Sequence, residues 1–276
     1  MALSLFDFEK REKRPVEWII PNLLPRRNTA FMMGPPKKAT KSWLLLAAAW
    51  DLSEGLAPWG IPALKPPQPM RTVYFAQEDS EDNADDRVKA HLLRGGRKAN
   101  DRLWVVPKNL NLALDSKEGC QLVQNELCGV YEATGRGEID LVVFDPMRRI
   151  HRGDENDSTV IARLWAVIDD IHQKYGCAVL ISHHVRKPPN AKDLDGGYDA
   201  SDPFIGRGSG DIYGGGDAFV MVAPGKLATD GMSRRVTLHF ESKREAQLPA
   251  ASLRVDFRTG QVEYLNNLGV DTEEGI

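Results

Sequence analysis

Apolar positions along the chain follow two different periods. Four short runs are apolar at nearly every position: Ala30-Phe31-Met32-Met33, Thr72-Val73-Tyr74-Phe75-Ala76, Ile139-Asp140-Leu141-Val142-Val143-Phe144 and Cys177-Ala178-Val179-Leu180-Ile181. Runs of that length, covered on both faces, predict central strands of a parallel sheet. Helices are expected over 41–54, 84–95, 116–133 and 158–175, with a further strand at 103–107. The last helix is the most regular, with Ile161, Leu164, Trp165, Ile168 and Ile171 recurring on one face. Trp165 therefore reads as a core residue rather than a platform for stacking a base. Strands alternating with helices imply crossovers over a parallel sheet. Past residue 215 the period becomes two, in Ala218-Phe219-Val220-Met221-Val222, Arg235-Val236-Thr237-Leu238-His239-Phe240, Leu253-Arg254-Val255-Asp256-Phe257 and Gln261-Val262-Glu263-Tyr264. These segments predict antiparallel strands that extend the sheet.

The remaining stretches set the organisation. Residues 1–15 form a basic leader, and Trp18-Ile19-Ile20-Pro21-Asn22-Leu23-Leu24 reads as a short anchoring segment. Between Ala57 and Pro69 five prolines rule out a regular helix or a central strand. The expected division is an arm over 1–24, one α/β domain over 25–265 and an acidic, mobile tail over 266–276. A chain of 276 residues, 42% hydrophobic, can bury one large core. No apolar run approaches the roughly 20 residues that span a bilayer, and the N-terminus alternates charges, so a soluble cytoplasmic protein is expected. Cys120, Cys128 and Cys177 form no CxxC pair, which suits a reducing compartment and argues against structural zinc.

Candidate chemistry sits where strands end. After the first strand comes Gly34-Pro35-Pro36-Lys37-Lys38-Ala39-Thr40-Lys41-Ser42-Trp43, a loop that delivers Lys-Ser to the head of an apolar helix. Loop and helix N–H groups can surround a triphosphate, a lysine can reach its β and γ phosphates, and a hydroxyl can hold Mg²⁺. Gly34, Lys38, Ala39, Thr40, Lys41, Ser42 and Trp43 are thus the expected nucleotide-binding residues. Thr40 stands where the pattern G-x-x-x-x-G-K-[ST] has its last glycine, and Gly34 lies one residue upstream of the first. Asp145 closes an apolar strand and fits a Mg²⁺-holding acid alongside Ser42. Glu78, after Gln77 at the end of another strand, is the candidate base that orients and deprotonates water. The competing reading is that Glu78 and Asp79 only open the acidic run 80–86, which caps the next helix. His183 and His184 follow the fourth strand and can sense the γ-phosphate. Metal binding is the weaker reading, since neighbours on a strand point to opposite faces and no further ligand completes a set.

The order of these pieces resembles the RecA-like ATPases, and most closely the plasmid-encoded RepA-type hexameric replicative helicases. The resemblance covers about residues 25–245. It rests on Asp145-Pro146-Met147-Arg148-Arg149-Ile150-His151, Glu155-Asn156-Asp157-Ser158, Ser182-His183-His184 and Gly206-Arg207-Gly208-Ser209. It implies a RecA-like P-loop NTPase core, ATP and Mg²⁺ as cofactors, a homo-oligomeric ring of six subunits and single-stranded DNA as partner. It further implies that Arg207 completes a neighbour's site, with Lys243 and Arg244 as second candidates. In such proteins the loops after the aspartate and histidine strands contact single-stranded nucleic acid through phosphates. Arg186, Lys187 and Lys192 hold that place in the second loop and Arg149 in the first. Arg148 and Arg149 have an equal alternative, pairing with Asp154 and Glu155. A net charge of −3 does not suit a protein coated by nucleic acid, but a ring needs positive charge only on loops facing its channel.

Overall fold

The computed structural model describes residues 4–12, 15–36, 40–78, 81–109, 111–135, 137–185, 210–243 and 248–268. In chain order the elements are α1 (Leu5–Glu9), β1 (Trp18–Ile20), β2 (Leu24–Pro25), β3 (Thr29–Gly34), α2 (Lys41–Ser53), β4 (Thr72–Ala76), α3 (Glu81–Lys89), β5 (Leu103–Val106), α4 (Lys117–Ala133), β6 (Leu141–Asp145), α5 (Ser158–Tyr175), β7 (Ala178–His184), α6 (Gly210–Gly215), β8 (Ala218–Leu227), β9 (Ser233–Ser242), β10 (Ala250–Asp256) and β11 (Val262–Leu268). β1 and β2 make a small ribbon, and nine strands form one sheet in the order β11-β10-β9-β8-β3-β7-β6-β4-β5. From β8 to β5 every neighbouring pair is parallel. β9, β10 and β11 each run antiparallel to the strand before, as the change of period past residue 215 predicts. The fold is α/β, with a mostly parallel central sheet and C-terminal antiparallel strands.

Alternation along the strands sorts the core into two layers. Ala30, Met32, Tyr74, Ala76, Leu141, Val143, Ala178 and Leu180 face the layer that contains α2. Phe31, Met33, Val73, Phe75, Val142, Phe144, Val179 and Ile181 face the layer that contains α4 and α5. Central strands buried on both faces read as unbroken apolar runs for this reason. α2 is buried along most of its length, so its sequence is apolar nearly all round. α5 spans the residues its periodicity predicts. Asp157 caps its start by accepting the Thr159 N–H, and Gly176 closes its end at φ 66°.

Several boundaries differ from the sequence expectation. The helix expected over 84–95 begins at Glu81, inside the acidic run, because acids are favoured in a first turn. It then widens into a π-turn over Ala90–Arg94, which seats His91 against the Trp50 ring at 5.5 Å. Strand β7 extends through His183 and His184 instead of ending before them, since both remain paired with β3. β11 runs on to Leu268, past residue 265. In the anchoring segment Ile19, Ile20, Leu23 and Leu24 are all buried in the α2 layer. Trp165 packs edge-on against Phe31 at 5.9 Å and donates its indole N–H to the Asp211 carbonyl, so it fastens α6 to α5.

Candidate active site

Of the expected residues that the structure describes, the C-terminal edge of the parallel strands gathers most, as ligand sites in such sheets require. β3 ends at Gly34 and α2 begins at Lys41. Lys37, Lys38 and Ala39, between them, lie outside the described residues. Thr40 adopts the left-handed conformation, φ 54° and ψ 25°, and makes no side-chain cap bond to the helix it precedes. A β-branched residue pays heavily for that conformation, whereas glycine adopts it freely. The backbone therefore keeps the shape that the missing glycine would give, with strain held in one residue.

Lys41 is only 6% exposed. Its ammonium donates to the Gly34 carbonyl at 3.0 Å and the Pro35 carbonyl at 3.4 Å, and lies 3.2 Å from Nδ1 of His184. Burial pulls its pKa down to about 8, against the opposing pull of the Asp145 and Glu78 carboxylates. Those two acids therefore share its neighbourhood, from the ends of two adjacent strands whose register pairs Ala76 with Asp145. Glu78 stands exposed just past β4. His183 and His184 point to opposite faces: His183 is buried edge-on against Phe31, at 6.3 Å, while His184 meets Lys41.

Asp145 is 2% exposed. The Tyr74 hydroxyl donates to its Oδ2 at 2.7 Å, and Oδ1 has no hydrogen-bond partner among the described residues. Tyr74 comes from the neighbouring strand, on the α2 face by the same alternation as Asp145. It holds one carboxylate oxygen and leaves the other. Sequence reasoning missed it, because its part depends on the β4–β6 register and not on any spacing along the chain.

Other expected residues fall elsewhere. Trp43 packs between Arg87, His91 and Phe257, with ring-to-ring distances of 6.0 Å to His91 and 5.9 Å to Phe257. Arg149 is exposed in the 3-10 turn Met147–Arg149 that follows β6. Lys243 lies at the opposite edge of the sheet from Lys41, where its N–H bonds the Asp217 carbonyl beside the start of β3. There its ammonium donates to the Tyr213 and Gly214 carbonyls at the end of α6, at 2.7 and 3.0 Å. Arg186, Lys187, Lys192, Arg207 and Arg244 lie outside the described residues. A large cleft, about 890 Å³, opens around Arg26, Arg27, Lys65 and Tyr175. Arg26 is committed there to Glu17 and Asp140, and the cleft contains none of the residues singled out for nucleotide chemistry.

A strand-loop-helix bearing Lys-Ser, with an acid at the end of a nearby parallel strand, is the layout of a P-loop nucleotidase. The sequence model of the AAA_25 family, described as an AAA domain, matches residues 1–190. The chain belongs to the AAA_25 family. This is a RecA-like group of P-loop NTPases, so the AAA_25 chain is a P-loop ATPase, typically served by ATP and Mg²⁺. The matched span ends after β7 and leaves α6 and β8–β11 beyond it. Comparison with curated proteins returns no match. Among the described residues no helix is long and apolar enough to cross a membrane.

The site fits a divalent cation. Oδ1 of Asp145 is a buried oxygen with no partner, and Ser42, half-buried at the second position of α2, makes no side-chain hydrogen bond among the described residues. These two residues would hold Mg²⁺, which supplies charge neutralisation at the β and γ phosphates. The α2 N-terminus offers backbone N–H groups to the same anion.

Replacing Thr40 by glycine should remove about 1 kcal/mol of left-handed strain, partly offset by the freer unfolded chain. The Thr40→Gly chain should therefore unfold at higher denaturant than the native one, while Thr40→Ala should not. The lowered pKa of Lys41 has its own signature. At pH 8 about half the lysines are neutral, and an anion restores the ammonium, so ATP binding should take up about half a proton. Calorimetry in buffers of different ionisation enthalpy reads this uptake, which should vanish at pH 6 and in Lys41→Met. Without ligand the folded chain loses this proton before the unfolded chain does, so stability should rise with pH from about 8 to 10.5. Removing the Tyr74 hydroxyl leaves both Asp145 oxygens unheld. Tyr74→Phe should raise, about tenfold, the Mg²⁺ concentration at which nucleotide binding reaches half its Mg²⁺-dependent gain, as second-shell changes do.

Proposed function

We propose that this AAA_25 ATPase is a ring-forming motor, a replicative DNA helicase of the RepA type that translocates on single-stranded DNA as it hydrolyses ATP. Residues 25–265 form its single ATPase domain, with 1–24 as an arm. In this reading Lys41 binds the β and γ phosphates, Ser42 and Asp145 hold Mg²⁺, and Glu78 takes the proton of the attacking water. His184 reports loss of the γ-phosphate through the Lys41 ammonium it already touches. Arg207, with Lys243 and Arg244 in support, serves the nucleotide of an adjacent subunit.

The observation that carries the proposal is the placing of Glu78. A protein that only binds nucleotide needs the loop, the hydroxyl and the metal acid; a carboxylate at the exposed mouth, close enough to act on Lys41, is what turnover requires. The position of Lys243 agrees with a shared site. It stands at the far edge of the sheet from its own phosphate loop, so any nucleotide it reaches belongs to another copy. A second reading, a nucleotide-gated assembly switch with little turnover, is favoured by the strained Thr40 and by the partly neutral Lys41.

Mg²⁺-dependent ATP hydrolysis, with and without single-stranded DNA, separates the two. The motor should be stimulated by DNA, lost in Lys41→Ala and in Glu78→Gln, and partly restored when Lys41→Ala and Arg207→Ala chains are mixed. Nucleotide binding that drives assembly without turnover, with or without DNA, would leave the switch as the function.

A further inference from the structure

The cleft of about 890 Å³ lies at the opposite edge of the sheet from Lys41, among the segments that enter β3, β4, β6 and β7. Trp18, Pro67 and Tyr175 give it apolar walls, and Arg27, Lys65 and Lys174 stand exposed around it. Glu17 and Glu138 also line it, but both are paired with Arg26, at 3.3 and 3.8 Å. None of the three exposed cations forms an ion pair among the described residues, so the cleft keeps a surplus of positive charge beside apolar surface. Such a cleft suits a partner that brings apolar side chains together with carboxylates, and not a bare polyanion.

The chain itself carries a segment of that kind. In α1 Leu5 is 86% and Phe6 72% exposed, and none of residues 4–12 lines the cleft. Glu9 stands four positions from Leu5 and three from Phe6, so on a helix it shares their face. Asp7 adds a second exposed carboxylate, which accepts from the Ser4 N–H at 2.8 Å. A helix of five residues is marginal in water by itself, and one that holds two large apolar side chains open to solvent gains most by docking. Six residues, Lys10 to Pro15, join α1 to Val16 on the rim of the cleft, and they span at most about 20 Å. Pro15 disfavours a tight reversal at the residue before it, which works against return of the arm to its own cleft.

We propose that this cleft receives α1 of a second copy of the chain, with Leu5 and Phe6 on its apolar walls and Glu9 among Arg27, Lys65 and Lys174, a short helix laid in a groove. The contact is heterologous, arm into cleft, so it passes from copy to copy and ends only where the rotation closes a ring. The inference rests on assembly, which the motor and the switch share, and not on turnover. The contact falls at the edge of the sheet away from the nucleotide, so arm docking and nucleotide binding can be measured separately.

The test uses the full chain, with association followed by analytical ultracentrifugation over a range of protein and salt concentrations. An arm variant, Leu5→Ser with Phe6→Ser, and a cleft variant, Arg27→Glu with Lys65→Glu, alter only exposed side chains, and thermal melting checks that each is folded. Each alone should associate about thirtyfold more weakly than the native chain, since a few anchors dominate an interface. Native association should weaken as salt rises, and that of the cleft variant should not. Mixed in equal amounts the two variants should form pairs, because the cleft variant still has an arm and the arm variant still has a cleft. Mixing that restores nothing would put the arm on its own chain and overturn the inference. Variants that both assemble like the native chain, or a loss confined to one of them, would overturn it too and leave the motor reading standing. A native chain that stays monomeric with ATP and Mg²⁺ would overturn the inference and the motor reading together.

Discussion

An ammonium held out of water, with no carboxylate bonded to it among the described residues, is the constraint around which this structure is arranged. Among the described residues Lys41 is bonded only by two carbonyls and approached by one imidazole, and Asp145 and Glu78 act on it through space. A buried charge so weakly compensated would be costly in a core built for stability. Here each neighbour also belongs to the mouth of the sheet. Gly34 ends β3, His184 ends β7, Asp145 ends β6, and Lys41 opens the helix that follows β3. The site is thus an arrangement of strand ends, and the sheet has to be parallel to bring them to one edge.

The two layers of the core make that edge precise. Each central strand gives alternate residues to α2 and to the α4 and α5 side, so the position of a residue in its strand decides which layer it serves. Asp145 and Tyr74 both fall on the α2 side, which is why a hydroxyl from one strand can hold a carboxylate from the next. His183 and His184 divide by the same rule, one packing on Phe31 and the other meeting Lys41. A shift of register by one residue would send Asp145 into the opposite layer.

Much of this was legible in the sequence. The unbroken apolar runs, the span of α5, the change to period two and the Lys-Ser, Asp145 and Glu78 positions all depend on local spacing. What escaped depends on pairing between distant segments. Tyr74 looked like one more apolar strand residue until β4 was set beside β6. The acidic run 80–86 was assigned to a cap when most of it is helix, because its charges mask the helical pattern. Thr40 was recognised as standing in a glycine's place. Its left-handed backbone shows that the conformation at position 40 outlasts the residue type that makes it easy.

That last point bears on how the site can work. Without nucleotide the chain holds two local costs side by side, a left-handed threonine and a lysine whose charge is disfavoured. An anion answers only the second of these, because phosphate oxygens stabilise the ammonium while the Thr40 backbone stays left-handed in the form that cradles them. The strain at Thr40 is therefore common to the empty and filled states and does not weaken binding by itself. What weakens binding is any alternative, relaxed loop that the strain favours over this one, and such a loop would have to be reversed each time a nucleotide enters. Thr40 would thus act through the fraction of chains whose backbone is already left-handed there. The lysine acts through the strength of the contact once that shape is present.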